Sequence, residues 1–331
     1  MKVVVTDYVE ANLDWENGQL QALGLQVEAY QMKFAPEEAL AEVTRDADVI
    51  VVNMAQITPS LVARWERCEL VIRHGIGYDN VDVDALSERG IRFINMPDYC
   101  VEEVAEHAIM LILAAGRKLI FSQEVLLRSI QNGQWDFTGI DPIFRLRGRK
   151  LGIIGCGRIG GRVYQKLKNF GFEFLICDPY LNPRRKQDLG IETLPLEAVL
   201  GEADFVTIHT PLNDETRHLF NERTLGLMKP SAYLINTARA GMVDQAALVR
   251  ALEGGRIAGA ALDVFHPEPP RPDDPLLQAP NVTLTPHLSW CSVDAGWEIR
   301  HSILKQIKKF HAGLPVDNLI NRAALARKAA V

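Results

Sequence analysis

Leu151-Gly152-Ile153-Ile154-Gly155-Cys156-Gly157-Arg158-Ile159-Gly160 is the stretch of this sequence that decides its fold. An apolar, strand-like run leads into a Gly-x-Gly-x-x-Gly loop, and the residues that follow have the pattern of a helix. In such a unit Gly155 permits the tight turn, Gly157 lets the backbone approach a pyrophosphate, and Gly160 lets the helix pack close to the strand. The N–H groups of Arg158 and Ile159 would bind the pyrophosphate at the helix N-terminus. The stretch therefore predicts a Rossmann unit that binds a dinucleotide.

A carboxylate follows the next predicted strand of this unit. Asp178 lies about 20 residues beyond the loop, where a carboxylate can bind both hydroxyls of the adenosine ribose. Because a carboxylate there repels a 2′-phosphate, the predicted cofactor is NAD rather than NADP. Arg184 and Arg185 lie further along the chain and could favour the 2′-phosphate instead, so that alternative stays open here.

Short β-branched runs alternate with helical stretches along most of the chain, which predicts an α/β fold with doubly wound parallel sheets. A long helical pattern from Val101 to about Gly133, with one break, separates two such series, and an amphipathic helix over Val293–His311 precedes a polar tail. The predicted strands are Val3–Thr6, Asp48–Asn53, Leu70–His74 and Ile91–Asn95, then Leu151–Ile154, Phe174–Cys177, Phe205–His209, Tyr233–Asn236, Gly259–Asp263 and Val282–Leu284.

Composition excludes several classes of function. The 331 residues can form about two domains, and a net charge of −6 argues against nucleic-acid and anionic-membrane partners. No apolar stretch approaches the roughly 20 residues of a membrane span, and no signal peptide is expected before the first strand. The five cysteines have no metal-ligand spacing, so we expect reduced thiols, no metal site and a cytoplasmic location.

Three polar residues follow the glycine loop in an order that suggests chemistry. Arg239, Glu268 and His287 supply a cation, a carboxylate and an imidazole, the set needed to move a hydride onto the carbonyl of a 2-oxo acid. Each residue alone has an ordinary explanation, as a surface arginine, a loop glutamate or a histidine at a strand end. Together they predict an active site. His107, in contrast, lies on an apolar helical stripe and is expected in the core.

The chain resembles the D-2-hydroxyacid dehydrogenase family in segments that extend over nearly its whole length. These segments are Arg73–Asp82, Val104–Glu106, the glycine loop, His209–Leu212, Asn236–Arg239, Leu262–Phe265 and Thr285–His287. Within the family, Pro97–Val104 and Trp290 look most like the branch of the C-terminal binding proteins.

The resemblance implies a role for each matching residue. Arg239 would bind the substrate carboxylate, His287 would be the general acid and base, and Glu268 would fix its tautomer and favour its protonated form. The N–H groups of Ile76 and Gly77 would also hold the substrate carboxylate. Trp290 would either wall the substrate pocket or pack in the core near the domain junction. The implied cofactor contacts, besides the glycine loop and Asp178, are His209, Thr210, Pro211, Thr237, Ala238, His287 and Asp263, the last of them with the nicotinamide carboxamide.

The resemblance also implies the architecture. Residues 1–98 plus 290–331 would form a flavodoxin-like substrate domain, and 99–289 an inserted Rossmann domain for NAD, with the reaction in the cleft between them. A homodimer would form through the NAD-binding domain, for which the apolar helices between Val104 and Ile130, with Trp135 and Phe137, offer a surface. One departure from the family is Ala240 after Arg239, where glycine is usual; a Cβ there requires negative φ.

The predicted function is an NAD-dependent oxidoreductase that interconverts a D-2-hydroxy acid and a 2-oxo acid. One alternative is an NAD(H)-responsive scaffold of the corepressor type, and another is a relative that acts on formate or phosphite. Which acid is the substrate, and in which direction the reaction runs, stay open from the sequence.

Overall fold

The computed structural model describes residues 1–140 and 142–329. The chain divides into two compact units: a first unit, Met1–Cys100 together with the segment that begins at Ser292, and a second unit, Val101–Cys291. Each unit is built on one parallel β-sheet covered by helices, so the predicted α/β fold with two doubly wound sheets is confirmed. The assignment of the first unit to the substrate stays a prediction.

The first unit contains a five-stranded sheet in the order β2-β1-β3-β4-β5, which is the flavodoxin-like order. β3 and β4 are buried on both faces, as expected for central parallel strands with continuous apolar runs. The sequence did not predict β2, because its edge sequence Gln-Val-Glu-Ala is half polar and only partly buried. The strands are β1 (Lys2–Val5), β2 (Gln26–Ala29), β3 (Val49–Val52), β4 (Leu70–Arg73) and β5 (Arg92–Ile94).

The helices of the first unit are α1 (Asp14–Gln21), α2 (Glu37–Thr44), α3 (Pro59–Ala63), α4 (Val83–Arg89), α12 (Val293–His311) and α13 (Arg322–Ala329). α13 corrects the expectation of a polar tail. Asn321 explains why a helix begins there: its buried side chain accepts from the Phe93 N–H at 3.1 Å and donates to the Ile91 carbonyl at 2.8 Å. These two bonds anchor the chain beside β5 directly before the helix.

The second unit contains a six-stranded parallel sheet in the order β11-β10-β9-β8-β6-β7. All six predicted strands are present, within one residue at each end. The strands are β6 (Lys150–Ile154), β7 (Glu173–Cys177), β8 (Phe205–Ile208), β9 (Tyr233–Asn236), β10 (Gly259–Leu262) and β11 (Val282–Leu284). Since the strands are parallel, their carboxyl ends all lie at one edge of the sheet, where ligands bind in folds of this kind.

The helices of the second unit are α5 (Val101–Gly116), α6 (Leu119–Gln131), α7 (Arg158–Leu167), α8 (Pro183–Leu189), α9 (Leu196–Glu202), α10 (Glu222–Leu225) and α11 (Gln245–Glu253). The predicted break in the long helical pattern falls between α5 and α6, where Lys118 has a left-handed φ of 50°. α5 packs its stripe of small and branched side chains, Ala105, Ala108, Leu111 and Ile112, in the core with β6, β8, β9 and β10.

Among the described residues, no helix has both the length and the apolar character to cross a membrane. The same part of the chain contains no group of three or more histidine, cysteine, aspartate or glutamate side chains that could hold a metal ion.

Candidate active site

Nearly all the predicted site residues follow strands of the second sheet at its carboxyl edge. Each lies at or a few residues beyond the end of its strand, because the parallel strands end where the loops begin. The glycine loop follows β6, Asp178 follows β7, His209 follows β8, Arg239 follows β9, Asp263 follows β10 and His287 follows β11.

The three glycines of the loop differ in the space that a Cβ atom would have at each position. Gly155 has a φ of +88°, and a Cβ there would lie 2.7 Å from the Thr210 methyl group. A Cβ on Gly160 would collide with the Gly155 carbonyl oxygen, whereas a Cβ on Gly157 would have no neighbour within 4 Å. Gly155 and Gly160 are therefore required by packing, and Gly157 leaves its backbone open to a ligand.

Arg185, which the sequence left as a possible partner of a 2′-phosphate, orients the loop at the start of α7. No side chain caps the helix at Gly157. Arg185 donates from Nε to the Cys156 carbonyl at 3.2 Å and from a terminal nitrogen to the Gly157 carbonyl at 2.8 Å. Since the N–H of a trans peptide points away from its carbonyl, Arg185 turns the loop N–H groups to the opposite side.

Asp178 lies against the same loop. Its Oδ2 accepts from the Cys156 N–H at 2.8 Å, and its Oδ1 accepts from the Tyr180 N–H at 3.1 Å. The carboxylate is half-buried and follows the last residue of β7. Burial raises the pKa of the neighbouring Cys156 thiol to about 11, so this thiol is protonated at neutral pH.

These residues fit a dinucleotide cofactor. The loop has an open backbone at Gly157, an uncapped helix N-terminus and an adjacent carboxylate in Asp178. The Thr237 hydroxyl, beyond β9 at the same edge of the sheet, is buried and has no hydrogen-bond partner among the described residues. A bound ligand would satisfy that hydroxyl, since buried polar groups are nearly always hydrogen-bonded.

The second part of the site brings Glu268 and His287 together across 19 residues of chain. His287 Nδ1 lies 2.7 Å from Glu268 Oε2, and Glu268 Oε1 accepts from the Phe265 N–H at 3.0 Å. Burial alone would raise the pKa of Glu268, but the hydrogen bond and charge of His287, the Phe265 N–H and the Arg239 charge together lower it. Glu268 is therefore ionised at neutral pH and holds a proton on Nδ1 of His287.

Arg239 lies near enough for its charge to act on Glu268. The side chain is half-buried, and one terminal nitrogen donates to the Ala238 carbonyl at 2.8 Å. Asn236 donates to the Arg239 carbonyl at 2.9 Å and so fixes the backbone after β9. Ala240 opens a 3-10 turn, Ala240–Met242, and is not among the residues with positive φ, so its Cβ is tolerated where the family usually has glycine.

His287 itself has a left-handed backbone conformation, with a φ of +54°. The buried Asp263 carboxylate holds the surrounding turn: Oδ1 accepts from the Thr285 hydroxyl at 2.5 Å and the Leu288 N–H at 3.1 Å, and Oδ2 accepts from the Ser289 N–H at 2.9 Å. Asp263 was expected to contact the nicotinamide carboxamide. That contact stays a prediction, and the side chain has this second role that the sequence did not indicate.

Trp290 belongs to the same turn. Its indole Nε1 donates to the His287 carbonyl at 2.9 Å, and the side chain is half-buried. The indole thus adds a hydrogen bond on the His287 carbonyl to those that Asp263 makes with Thr285, Leu288 and Ser289. Neither of the two sequence-based interpretations of Trp290, as a pocket wall or as core, included this bond.

The expected cofactor contacts around β8 have partners of their own. His209 Nε2 lies 2.9 Å from the Thr207 hydroxyl, and burial lowers the pKa of His209 to about 3. The imidazole is therefore neutral at neutral pH and is no candidate for the proton donor. The Thr210 hydroxyl faces the Met242 sulfur at 3.8 Å, and the Pro211 carbonyl accepts from the Thr216 hydroxyl at 2.7 Å.

Ile76 and Gly77 follow β4 in the first unit, directly after Gly75, whose φ is +147°. The Ile76 carbonyl accepts from the Asn95 side-chain amide at 2.7 Å. The N–H groups of Ile76 and Gly77 donate to no residue in the part of the chain that the structure describes. Exposed loop N–H groups of this kind can bind an anion, and their contact with the substrate stays a prediction.

The sequence did not indicate that His107 and Thr285 take part in the site. His107 on α5, expected in the core, places Nε2 3.0 Å from the Thr285 hydroxyl and 3.6 Å from Asp263 Oδ1. Thr285 connects it to Asp263. No signal in one sequence pairs positions 178 residues apart.

Comparison with known proteins identifies the family of this chain. A family model described as the NAD binding domain of D-isomer specific 2-hydroxyacid dehydrogenases matches residues 109–289. The D-3-phosphoglycerate dehydrogenase of Archaeoglobus fulgidus is 34% identical over 97% of this chain, although the chain spans only 59% of that protein's length. The glyoxylate reductase of Korarchaeum cryptofilum is 36% identical over 86% of this chain and 86% of its own length.

A solved structure gives the same result. D-lactate dehydrogenase from Aquifex aeolicus, complexed with NAD and lactic acid, superimposes with a TM-score of 0.83 and 28% identity. The match covers 94% of this chain and 96% of that protein. NAD is accordingly the cofactor of residues 109–289. None of these three proteins bears the name of the C-terminal binding protein branch, and the likeness to that branch stays a prediction.

Proposed function

The chain belongs to the D-isomer specific 2-hydroxyacid dehydrogenase family, and we propose that it interconverts a D-2-hydroxy acid and a 2-oxo acid with NAD(H). The observation that carries this proposal is the 2.7 Å contact between His287 Nδ1 and Glu268 Oε2, with the Arg239 charge beside it. A proton donor, its carboxylate partner and a cation for an anionic substrate are thereby assembled at one edge of one sheet.

In the reduction, His287 donates the proton on Nε2 to the carbonyl oxygen of the 2-oxo acid, and in the oxidation it takes that proton back. The bound cofactor supplies or accepts the hydride at the carbonyl carbon. Glu268 keeps the other ring nitrogen protonated, so Nε2 is the position that exchanges its proton. The Glu268–His287 pair therefore serves as general acid in the reduction and as general base in the oxidation.

Arg239 binds the substrate carboxylate in this proposal. Its planar guanidinium can donate two parallel hydrogen bonds to a carboxylate, and its remaining charge polarises the neighbouring carbonyl. The N–H groups of Ile76 and Gly77 are proposed as further donors to the same carboxylate. Trp290 is proposed to border the substrate, since its indole N–H is already engaged with the His287 carbonyl and its ring remains half-exposed.

On the cofactor side we propose that Gly157, Arg158 and Ile159 bind the pyrophosphate and that Asp178 binds the adenosine ribose. An uncapped helix N-terminus favours the negative charge of the pyrophosphate. His209, Thr210, Pro211, Thr237, Ala238 and Asp263 complete the proposed set of cofactor contacts.

A screen of 2-oxo acids tests the proposed activity directly. Glyoxylate, hydroxypyruvate, pyruvate and bulky apolar 2-oxo acids are mixed with the protein and NADH, and the loss of NADH absorbance is followed. We expect turnover of at least one of these acids. Turnover of formate or phosphite with NAD alone would identify the alternative oxidoreductase. NADH binding without turnover of any acid would favour the scaffold, which needs the cofactor and no chemistry.

We also propose a homodimer that forms through the second unit. α6 and the residues after it leave large apolar side chains exposed, among them Ile130 at 63%, Trp135 at 82% and Phe137 at 68%. Large apolar side chains exposed together in one part of the chain often mark interfaces. Light scattering on the parent and on Ile130→Glu should give a dimer and a monomer respectively, and two identical masses would contradict the proposal. A cytoplasmic location is proposed as well, supported by five free cysteines.

A further inference from the structure

A buried chain of polar groups connects α5 to the turn that carries His287. His107 Nε2 lies 3.0 Å from the Thr285 Oγ1, and that hydroxyl lies 2.5 Å from Asp263 Oδ1. The side chains of His107 and Asp263 are only 10% and 0% exposed. Groups this deeply buried keep their hydrogen bonds out of competition with water, so each bond holds its partner firmly.

The direction of the hydrogen bonds follows from the donors present. An ionised Asp263 can only accept, so the single hydroxyl proton of Thr285 is donated to it. The Thr285 oxygen then accepts from His107, which requires a proton on Nε2 of that ring. The same Asp263 carboxylate accepts the N–H groups of Leu288 and Ser289. The order of donation is therefore His107 to Thr285 to Asp263, which in turn fixes the two residues after His287.

The turn needs such support. His287 has a φ of +54°, a conformation that residues other than glycine rarely adopt and that is strained. The His287 N–H donates to the Thr285 carbonyl at 3.0 Å. Thr285, Leu288 and Ser289 thus enclose His287 on both sides in the sequence, and Asp263 binds all three. Losing one bond of this set would let His287 relax from its left-handed conformation.

We infer that His107 is a positioning residue for His287, acting through Thr285 and Asp263 without contacting the substrate itself. This inference rests on the proposed function, which gives His287 the proton transfer. A displacement of about 1 Å at such a group can lower a rate by up to a hundredfold. In this inference, His107 on α5 sets the geometry of the reaction through the bonds that hold the His287 turn.

Three substitutions separate this role from simple packing. His107→Leu removes the donor, and His107→Asn keeps a polar side chain that is too short to reach Thr285. His107→Gln places its amide nitrogen near the position of Nε2 and can still donate. Ile112→Val, on the same helix and fully buried, is the matched control, because it removes packing in the core without touching Thr285.

Two measurements are made on the full chain. The first is steady-state kinetics on the best 2-oxo acid: we expect kcat to fall about tenfold in the leucine and asparagine variants, with KM and NADH affinity little changed. The glutamine variant should recover most of this loss, and Ile112→Val should behave as the parent. Equal kcat values in the parent and His107→Leu, or equal losses in all three His107 variants, would overturn the positioning role.

The second measurement is hydrogen–deuterium exchange of peptides that contain Leu288 and Ser289, which requires no activity. We expect about tenfold faster exchange in His107→Leu than in His107→Gln, since the Asp263 bonds protect these N–H groups. Unchanged exchange in His107→Leu would overturn the inference alone. Failure of the parent to turn over any 2-oxo acid, in contrast, would remove the proposed function itself.

Discussion

The glycine loop and the His287 turn lie at the same edge of the same sheet, yet they are held in different ways. The loop is fixed by backbone and close packing: a Cβ at Gly155 would meet Thr210, and one at Gly160 would meet the Gly155 carbonyl. The His287 turn is fixed by three side chains from two other segments: Asp263 and Glu268 after β10, and His107 on α5. The conformation of the loop depends on the absence of Cβ atoms at its glycines. The conformation of the turn depends on the hydrogen bonds that neighbouring side chains make with it.

The difference matters for function. A pyrophosphate that is bound by the protein backbone needs a loop that already has its final shape. The close packing of the glycines gives the loop that shape. A proton donor must instead have its ring nitrogen at the right point and in the right protonation state, which requires charged and hydrogen-bonded neighbours. The predictions below separate these two kinds of support.

The largest effect is expected at His287, the proposed proton donor. His287→Asn should lower kcat by at least about a hundredfold, the usual loss for a general acid, because the amide cannot donate a proton to the carbonyl. Asparagine tolerates a left-handed backbone, so the fold should be kept. NADH affinity, measured by fluorescence titration, should change little. Near-parental turnover of the variant would show that His287 is not the proton donor.

The next effect concerns the two glycines with opposite surroundings. Gly157→Ala should fold as the parent, since its Cβ has no neighbour within 4 Å, but should weaken NADH binding at least about tenfold, or about 1.4 kcal/mol. Gly160→Ala should instead lower the melting temperature, because its Cβ collides with the Gly155 carbonyl. Tight NADH binding by Gly157→Ala would contradict the assignment of the pyrophosphate to this loop.

A further prediction concerns the choice of cofactor. NADH should bind at least about tenfold more tightly than NADPH, because the Asp178 carboxylate repels a 2′-phosphate. Arg185 is already bonded to the Cys156 and Gly157 carbonyls. Arg185→Gln should therefore not abolish this preference. Equal or tighter binding of NADPH in the parent would remove Asp178 from its role.

The smallest effect is expected from Glu268→Gln. The folded-state pKa of Glu268 is lowered, so its ionised form stabilises the fold above its ordinary pKa, and that contribution is lost as the pH falls through the lowered value. At any pH above its ordinary pKa, Glu268 therefore stays charged in the parent. In the variant the kcat/KM profile for reduction should move to lower pH, because a neutral amide does not stabilise a protonated imidazole as the carboxylate does. An unchanged profile would separate Glu268 from the proton transfer.

Much of the fold follows from the sequence because buried parallel strands have nearly continuous runs of apolar residues. β3 and β9 are examples, and all six strands of the second sheet were predicted. β2 was missed because an edge strand needs no such run. α13 was missed because its start depends on Asn321 bonds to residues near position 91, more than two hundred residues away.

The site divides in the same way. The glycine loop and Asp178 are local patterns with fixed spacing, so the sequence predicts their proximity. The order Arg239, Glu268, His287 suggested the chemistry, but not the left-handed φ of His287. The bonds of Asp263 to Ser289 and of His107 to Thr285 depend on the packing of α5 near β10, which no local pattern encodes.

The central claim, that Arg239 binds and the Glu268–His287 pair protonates a 2-oxo acid as NADH reduces it, is tested most directly by kcat/KM of Arg239→Lys. Lysine keeps the charge but loses the planar pair of donors. Each charge-assisted hydrogen bond of that pair contributes about 1.5–3 kcal/mol. We predict that kcat/KM on the best 2-oxo acid falls at least about tenfold, while NADH affinity and melting temperature stay at the parental values. A variant as active as its parent on that acid would contradict the account.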